Sequence, residues 1–216
     1  MQDYDQEQRT ARADLCRFLA ACYYQPGPEY AEEKVFDSML DAATRIHPDL
    51  AAHARRLGEE FSAAGSDSLL LDYTRLFLGP NHIIAKPYGS VWLDGGQALM
   101  QDSTMAVQEL YQEGGFEIDE DFRELPDHIA AELEFLYLLI YRENEARRND
   151  DTEALTAIAG LRKRVLDEHL GSWVGPFTAA VRAGAQSGFY RELAELTDHF
   201  VSLEPDHKSS RERRHT

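Results

Sequence analysis

The sequence predicts an all-α protein, a single helical bundle of about nine to eleven helices. Three observations predict it. Apolar residues recur at helical spacing through nearly the whole chain. No segment alternates convincingly with period two. Glycine and proline crowd into two interruptions, and those divide the chain into helical parts. With 216 residues and 43% hydrophobic content, a packed interior is within reach and wholesale disorder is not expected.

The elements follow in order. Leu15, Phe18, Leu19 and Cys22 make a first stripe, and Val35, Phe36, Met39, Leu40 and Ala43 a second. Leu50, Ala54, Leu57 and Phe61 step by four, three and four. After a Gly-Ser-Asp-Ser break come Leu69, Leu70, Tyr73, Leu76 and Phe77. A weaker stripe holds Leu99, Val107, Leu110 and Tyr111. The later stripes are Ile129/Leu133/Leu136/Tyr137/Ile140, Leu155/Ile158/Val165, Trp173/Phe177/Val181 and Tyr190/Leu193/Leu196/Phe200. Cys16 and Cys22 fall on one helix, where a six-residue step rotates by about 600° and puts them on different faces, so no disulfide between them is expected.

The first interruption, Gly79 to Gly96, carries Gly79-Pro80, Lys86-Pro87, Gly89 and Gly95-Gly96, enough to stop a helix. It also carries Ile83, Ile84, Tyr88, Val91, Trp92 and Leu93. A solvent loop this apolar must pack on the bundle or receive a partner. The second runs from Gly114-Gly115 to Pro126 and is acidic. It reads as a hinge at 115–126 between an N-terminal part, 1–114, and a C-terminal part, 127–203. Residues 204–216 hold no apolar side chain and are expected to form a disordered tail.

The formal net charge is −17, and the last thirteen residues contribute +1 to it, leaving −18 on the rest. Such a body repels nucleic acid and anionic membrane and attracts cationic partners. The longest apolar run, Phe135 to Tyr141, is far short of the roughly 20 residues of a membrane-spanning helix. The start, Met1-Gln2-Asp3-Tyr4-Asp5, has no basic region leading into an apolar stretch, so a cytoplasmic protein is expected.

The sequence lacks GxxxxGK[ST], GxGxxG opening a helix, HExxH and GxSxG, so no catalytic residue is expected. In Leu125-Pro126-Asp127-His128, Pro126 discourages helix before it and Asp127 is suited to cap the helix that follows. The Asp-His pair also offers one fixed anion and one titratable donor, a match for an arginine or a peptide backbone. His128 and Glu132 share a helical face but supply only two ligands, and the Glu204–His207 string stands alone, so no metal site is expected.

Four strings carry a resemblance. Tyr73-Thr74-Arg75-Leu76-Phe77-Leu78-Gly79-Pro80 comes first, then Pro87-Tyr88-Gly89-Ser90-Val91-Trp92-Leu93-Asp94. Pro126-Asp127-His128-Ile129-Ala130-Ala131-Glu132-Leu133-Glu134-Phe135 is the third, and His169-Leu170-Gly171-Ser172-Trp173-Val174-Gly175-Pro176-Phe177 the fourth. In this order and spacing they resemble the TorD/DmsD-like redox enzyme maturation chaperones of the NarJ superfamily.

The resemblance implies an all-helical fold with a hinge, and a non-enzyme of anaerobic respiration. Such a protein binds the twin-arginine leader of a molybdopterin oxidoreductase precursor and holds it until cofactor insertion. It implies no cofactor beyond weak guanine-nucleotide binding in some members, and a monomer or a dimer, domain-swapped in some cases. The leader-binding face it implies comprises Tyr73, Leu76, Phe77, Pro87, Tyr88, Trp92, Asp127 and His128, with Glu124 near the Pro-Asp-His string. A receptor for such a leader needs an apolar groove and a carboxylate for the arginines. Two other readings remain: a guanine-nucleotide switch, for which Gly95-Gly96 and Gly114-Gly115 lack a following Lys-Ser or Lys-Thr, and a structural adaptor for a mature enzyme subunit. The client is open among dimethyl sulfoxide, trimethylamine oxide, formate, nitrate and related oxidoreductases.

Overall fold

The computed structural model describes residues 2–27, 30, 34–79, 83–95, 99–119 and 122–204. The described residues form ten α-helices and no strand, so the predicted all-α class stands. In chain order they are α1 (Gln2–Cys22), α2 (Val35–Ile46), α3 (Pro48–Ala63), α4 (Ser66–Tyr73) and α5 (Gly89–Leu93). The others are α6 (Asp102–Glu113), α7 (Ile129–Arg148), α8 (Thr152–Glu168), α9 (Leu170–Gly184) and α10 (Gly188–Ser202).

Local chemistry sets several starts. Pro48 occupies the first turn of α3, where its missing N–H costs nothing, and the His47 side chain accepts from the Asp49 amide. Asp151 Oδ1 accepts from the Ala154 amide at the head of α8, and Ser187 Oγ accepts from the Tyr190 amide at the head of α10. Helix α4 runs directly into a single π-helical turn, Thr74–Leu78, closed by the Gly79 amide on the Thr74 carbonyl at 2.6 Å. Gly79 then leaves with φ 42°, a left-handed conformation that favours glycine.

Helix α1 lies at the centre, against α2 and α7, while α3 packs on α2 and α10. Helices α7 to α10 pack as neighbours in sequence, α7 on α8, α8 on α9 and α9 on α10. The short α5 sits against α9 and α6. Leu15 and Leu19 of α1, Met39, Leu50, Leu57, Leu133, Phe135, Trp173, Phe177, Leu193 and Phe200 are all fully buried in one continuous core. At about 25 cal/mol per Å² of apolar area removed from water, this core is the main source of stability. Cys16 and Cys22 are buried free thiols, as their spacing predicts.

Two expectations change. The interruption at 79–96 is not loop throughout, because Gly89–Leu93 forms a short helix. Glu204, placed in the tail from its polarity, is fully buried and bonded to Arg12 Nη1 at 2.8 Å. The remaining tail residues, 205–216, lie outside the described residues.

Candidate functional site

The structure brings the second and third motifs together. Gly89 donates its amide to the Asp127 carbonyl at 2.8 Å, Ile129 donates to the Pro87 carbonyl at 2.8 Å, and Tyr88 and His128 face each other as an isolated antiparallel bridge. The apolar interruption is thereby strapped to the head of α7. Asp127 does not cap α7, as the sequence suggested. Its Oδ2 accepts from the Ser90 amide at 2.8 Å, so it caps α5 from across the chain. The cap of α7 is His128, whose Nδ1 accepts from the Ala130 amide at 3.2 Å. The exchange follows from the strap, which aims Asp127 at the exposed amides of the facing helix.

Gly89 lets the two segments close. A Cβ there would stand 2.9 Å from Trp173 Nε1 and 3.0 Å from Glu132 Oε1. Those two groups bond each other, Trp173 Nε1 donating to Glu132 Oε1 at 3.1 Å. Burial pushes the Glu132 carboxyl above the usual carboxylate range; the Trp173 N–H works the other way, and the Asp127 charge adds to the rise. Trp92 is half-buried, its Nε1 donating to the Lys86 carbonyl at 2.9 Å.

His128 is enclosed by aromatic rings. Tyr24 stacks on it at 6.3 Å, Tyr88 meets it edge-on at 5.4 Å, and Phe122 lies 6.5 Å away. Burial lowers its pKa to about 4, although the Glu124 and Asp127 charges pull it upward. Its imidazole is therefore neutral at physiological pH and serves as an acceptor, not as a charged donor.

Carboxylates rim the same rings. Tyr88 donates its hydroxyl to Glu124 Oε2 at 2.5 Å, and Tyr24 donates to Glu134 Oε1 at 2.8 Å. Glu124, Phe122, Tyr24, Tyr88 and Glu134 are half-exposed. Beside them opens a notch of about 160 Å³ lined by Phe116, Glu117, Ile118, Asp119, Phe122, Ala131 and Glu134. Aromatic faces with carboxylates alongside suit a cation with an apolar stem, such as an arginine side chain.

Of the residues expected on the binding face, Pro87, Tyr88, Asp127 and His128 meet here, with Asp127 and His128 buried beneath Tyr88 and Glu124 on the rim. Tyr73, Leu76 and Phe77 lie instead in the core. Phe77 packs against Tyr23, Phe177 and Tyr190, and Leu76 is fully buried. The connection between the two groups is indirect, through the Ala85 amide, which donates to the Leu76 carbonyl at 2.9 Å. Tyr24, Phe122 and Glu134 were missed. Tyr24 and Phe122 lie outside the four motifs and Glu134 stands unremarked in the third, and three separate segments bring them together.

A family model described as "Nitrate reductase delta subunit" matches residues 38–179. The chain is 28% identical over 190 residues to the Tat proofreading chaperone DmsD of Salmonella typhi, covering 88% of this chain and 86% of the relative. It is 28% identical over 168 residues to the chaperone protein TorD of Vibrio parahaemolyticus serotype O3:K6, covering 78% and 71%. A crystal structure of a redox enzyme maturation protein from Archaeoglobus fulgidus superposes with a TM-score of 0.53 over 88% of this chain and 93% of that one, at 19% identity, a likeness of fold. The resemblance carried by the four motifs is thus borne out, and this chain belongs to the nitrate reductase delta subunit family.

Proposed function

We propose that the chain is a cytoplasmic chaperone, not an enzyme, that binds the twin-arginine leader of a molybdopterin oxidoreductase precursor and holds it until the cofactor is inserted. The observation that carries this reading is the acidic, aromatic rim of Tyr24, Tyr88, Phe122, Glu124 and Glu134 around the strap. The names of the relatives support it, one a Tat proofreading chaperone and another a TorD chaperone.

In this reading the arginines dock on the rim, drawn by the general negative charge. The apolar part of the leader needs exposed apolar surface. Among the described residues, Leu70, Leu71, Leu78, Leu99, Met100 and Met105 are exposed, all on segments flanking the strap in sequence; Tyr141 is exposed on α7. Flexible methionines suit such a surface because they accept apolar partners of varied shape. Asp127 and His128 hold the strap that presents Tyr88, so their part in binding is positional.

The test is isothermal titration of the full chain with a synthetic twin-arginine leader peptide. Exchange of both rim carboxylates, Glu124→Gln with Glu134→Gln, keeps acceptors for the tyrosine hydroxyls and removes the charges. Affinity should fall about tenfold, about 1.4 kcal/mol, with helix content unchanged. Equal affinity in the double variant would show that the rim is not the arginine site.

A further inference from the structure

Three histidines converge where the head of α3 meets the last turn of α10. His47 precedes α3, Asp49 stands in its first turn, His53 follows one turn later, and His199 lies in the last turn of α10. The His199 ring is 6.0 Å from that of His47 and 5.9 Å from that of His53. Ligating atoms of His47, Asp49 and His199 all lie within 4.8 Å of one another. His47 Nδ1 and Asp49 Oδ2 are 3.6 Å apart. Two ligands of a tetrahedral zinc ion, at bond lengths of about 2.0–2.1 Å, stand about 3.4 Å apart.

We propose that His47, Asp49 and His199 bind a divalent transition-metal ion of the zinc class, with solvent at the fourth position. Two imidazoles and one carboxylate are a donor set suited to zinc rather than to magnesium or calcium, which take oxygen ligands. Coordination through His47 Nδ1 replaces its present bond to the Asp49 amide, at 3.2 Å, with a bond to the metal. His53 supports the site and is not one of the three ligands. Its Nδ1 stands 2.8 Å from Glu192 Oε2, and Glu192 also accepts from Arg56 Nε at 2.9 Å, so α3 and α10 are already pinned together one turn beyond the site. That pinning fixes the approach of His199 to His47 before any ion arrives, which lowers the cost of binding. The consequence is a clamp between two elements far apart in the chain, so the ion should stabilise the whole fold by mass action.

The experiment is thermal unfolding of the full chain, first stripped with a chelator and then supplied with zinc chloride. Cobalt(II) replaces zinc in a parallel absorption measurement. At a hundredfold excess over Kd, Tm should rise by about 5–10 °C, and cobalt should give the intense visible bands of tetrahedral coordination. His47→Asn keeps a good helix cap while removing the ligand, and His199→Gln removes the ligand from α10; both should abolish the rise. His207→Gln with His215→Gln, outside the described residues, should retain it. No rise in the natural chain, a rise that persists in His199→Gln, or one that vanishes with the two terminal exchanges would each overturn the proposal.

Discussion

At the scale of single residues, the most consequential side chain is His128. It caps α7 through Nδ1, stacks on Tyr24 and is buried so thoroughly that its pKa falls to about 4. In the unfolded chain it titrates near 6.5. Below 6.5 the unfolded chain takes up a proton that the native chain refuses until pH 4. Stability must therefore fall as pH drops from about 6.5 to 4, and this contribution is flat outside that window. The size is on the order of 3 kcal/mol, at about 1.4 kcal/mol per pH unit. Glu132 acts in the opposite sense, since its raised pKa makes stability fall as pH rises from the ordinary carboxylate range. Exchange of His128→Asn retains a capping acceptor and removes the titration. Urea midpoints measured from pH 7 to pH 4 should then show the natural chain losing stability faster than the variant, whereas parallel curves would mean that His128 titrates alike in the folded and unfolded chain. That Asp127 and His128 matter is legible in their order after Pro126. Which of them caps α7 is not, since it depends on a strand-like pairing between segments almost forty residues apart.

At the scale of elements, the helical stripes were readable because burial of one face fixes the spacing of apolar side chains. The same reading does not separate packing from binding. Leu76 and Phe77 sit on a legible stripe, and the structure uses them as core under α9 and α10. The short α5 was invisible for a different reason: five residues make no periodic pattern, and its cap arrives from Asp127. Asp72 is a comparable case. It lies on α4 yet is buried, and its carboxylate accepts from the Gln186 amide at 3.0 Å, and from the Ser187 amide and hydroxyl at 2.8 Å each. Arg75 adds an ion pair at 3.2 Å and also donates to the Gly184 carbonyl at 2.7 Å. One side chain thus fastens α4 and the π-helical turn to the α9–α10 corner. Asp72→Ala leaves several donors without their acceptor and should cost about 3 kcal/mol. That corresponds to about 6–12 °C in Tm for a chain of this size. A thermal melt of the variant within 2 °C of the natural chain would show that water replaces the carboxylate at no cost.

At the scale of the whole molecule, a net charge of −17 works against compactness, and the fold answers by setting half-buried arginines beside selected buried acids. Arg12 of α1 bonds Glu204 at 2.8 Å, and Arg162 of α8 reaches Glu204 at 3.5 Å and Glu143 of α7 at 3.3 Å. Arg147 closes the group on Glu143 at 2.6 Å. The cluster joins the first helix, the middle pair and the end of the last helix, so residues some two hundred positions apart share one charge network. Glu204 has no exposed surface, and a buried carboxylate is tolerated only while it is paired. Removing one partner should therefore be worse than removing both. Glu204→Leu alone takes the carboxylate from Arg12, while Arg162 keeps Glu143, and should cost about 3 kcal/mol. Adding Arg12→Met to it removes the charge left without that carboxylate and should recover a substantial part of that loss. Urea unfolding at constant m reads both changes directly. A double variant less stable than Glu204→Leu would mean that Arg12 contributes by packing its stem rather than by its charge, and that the end of α10 is held by apolar burial alone.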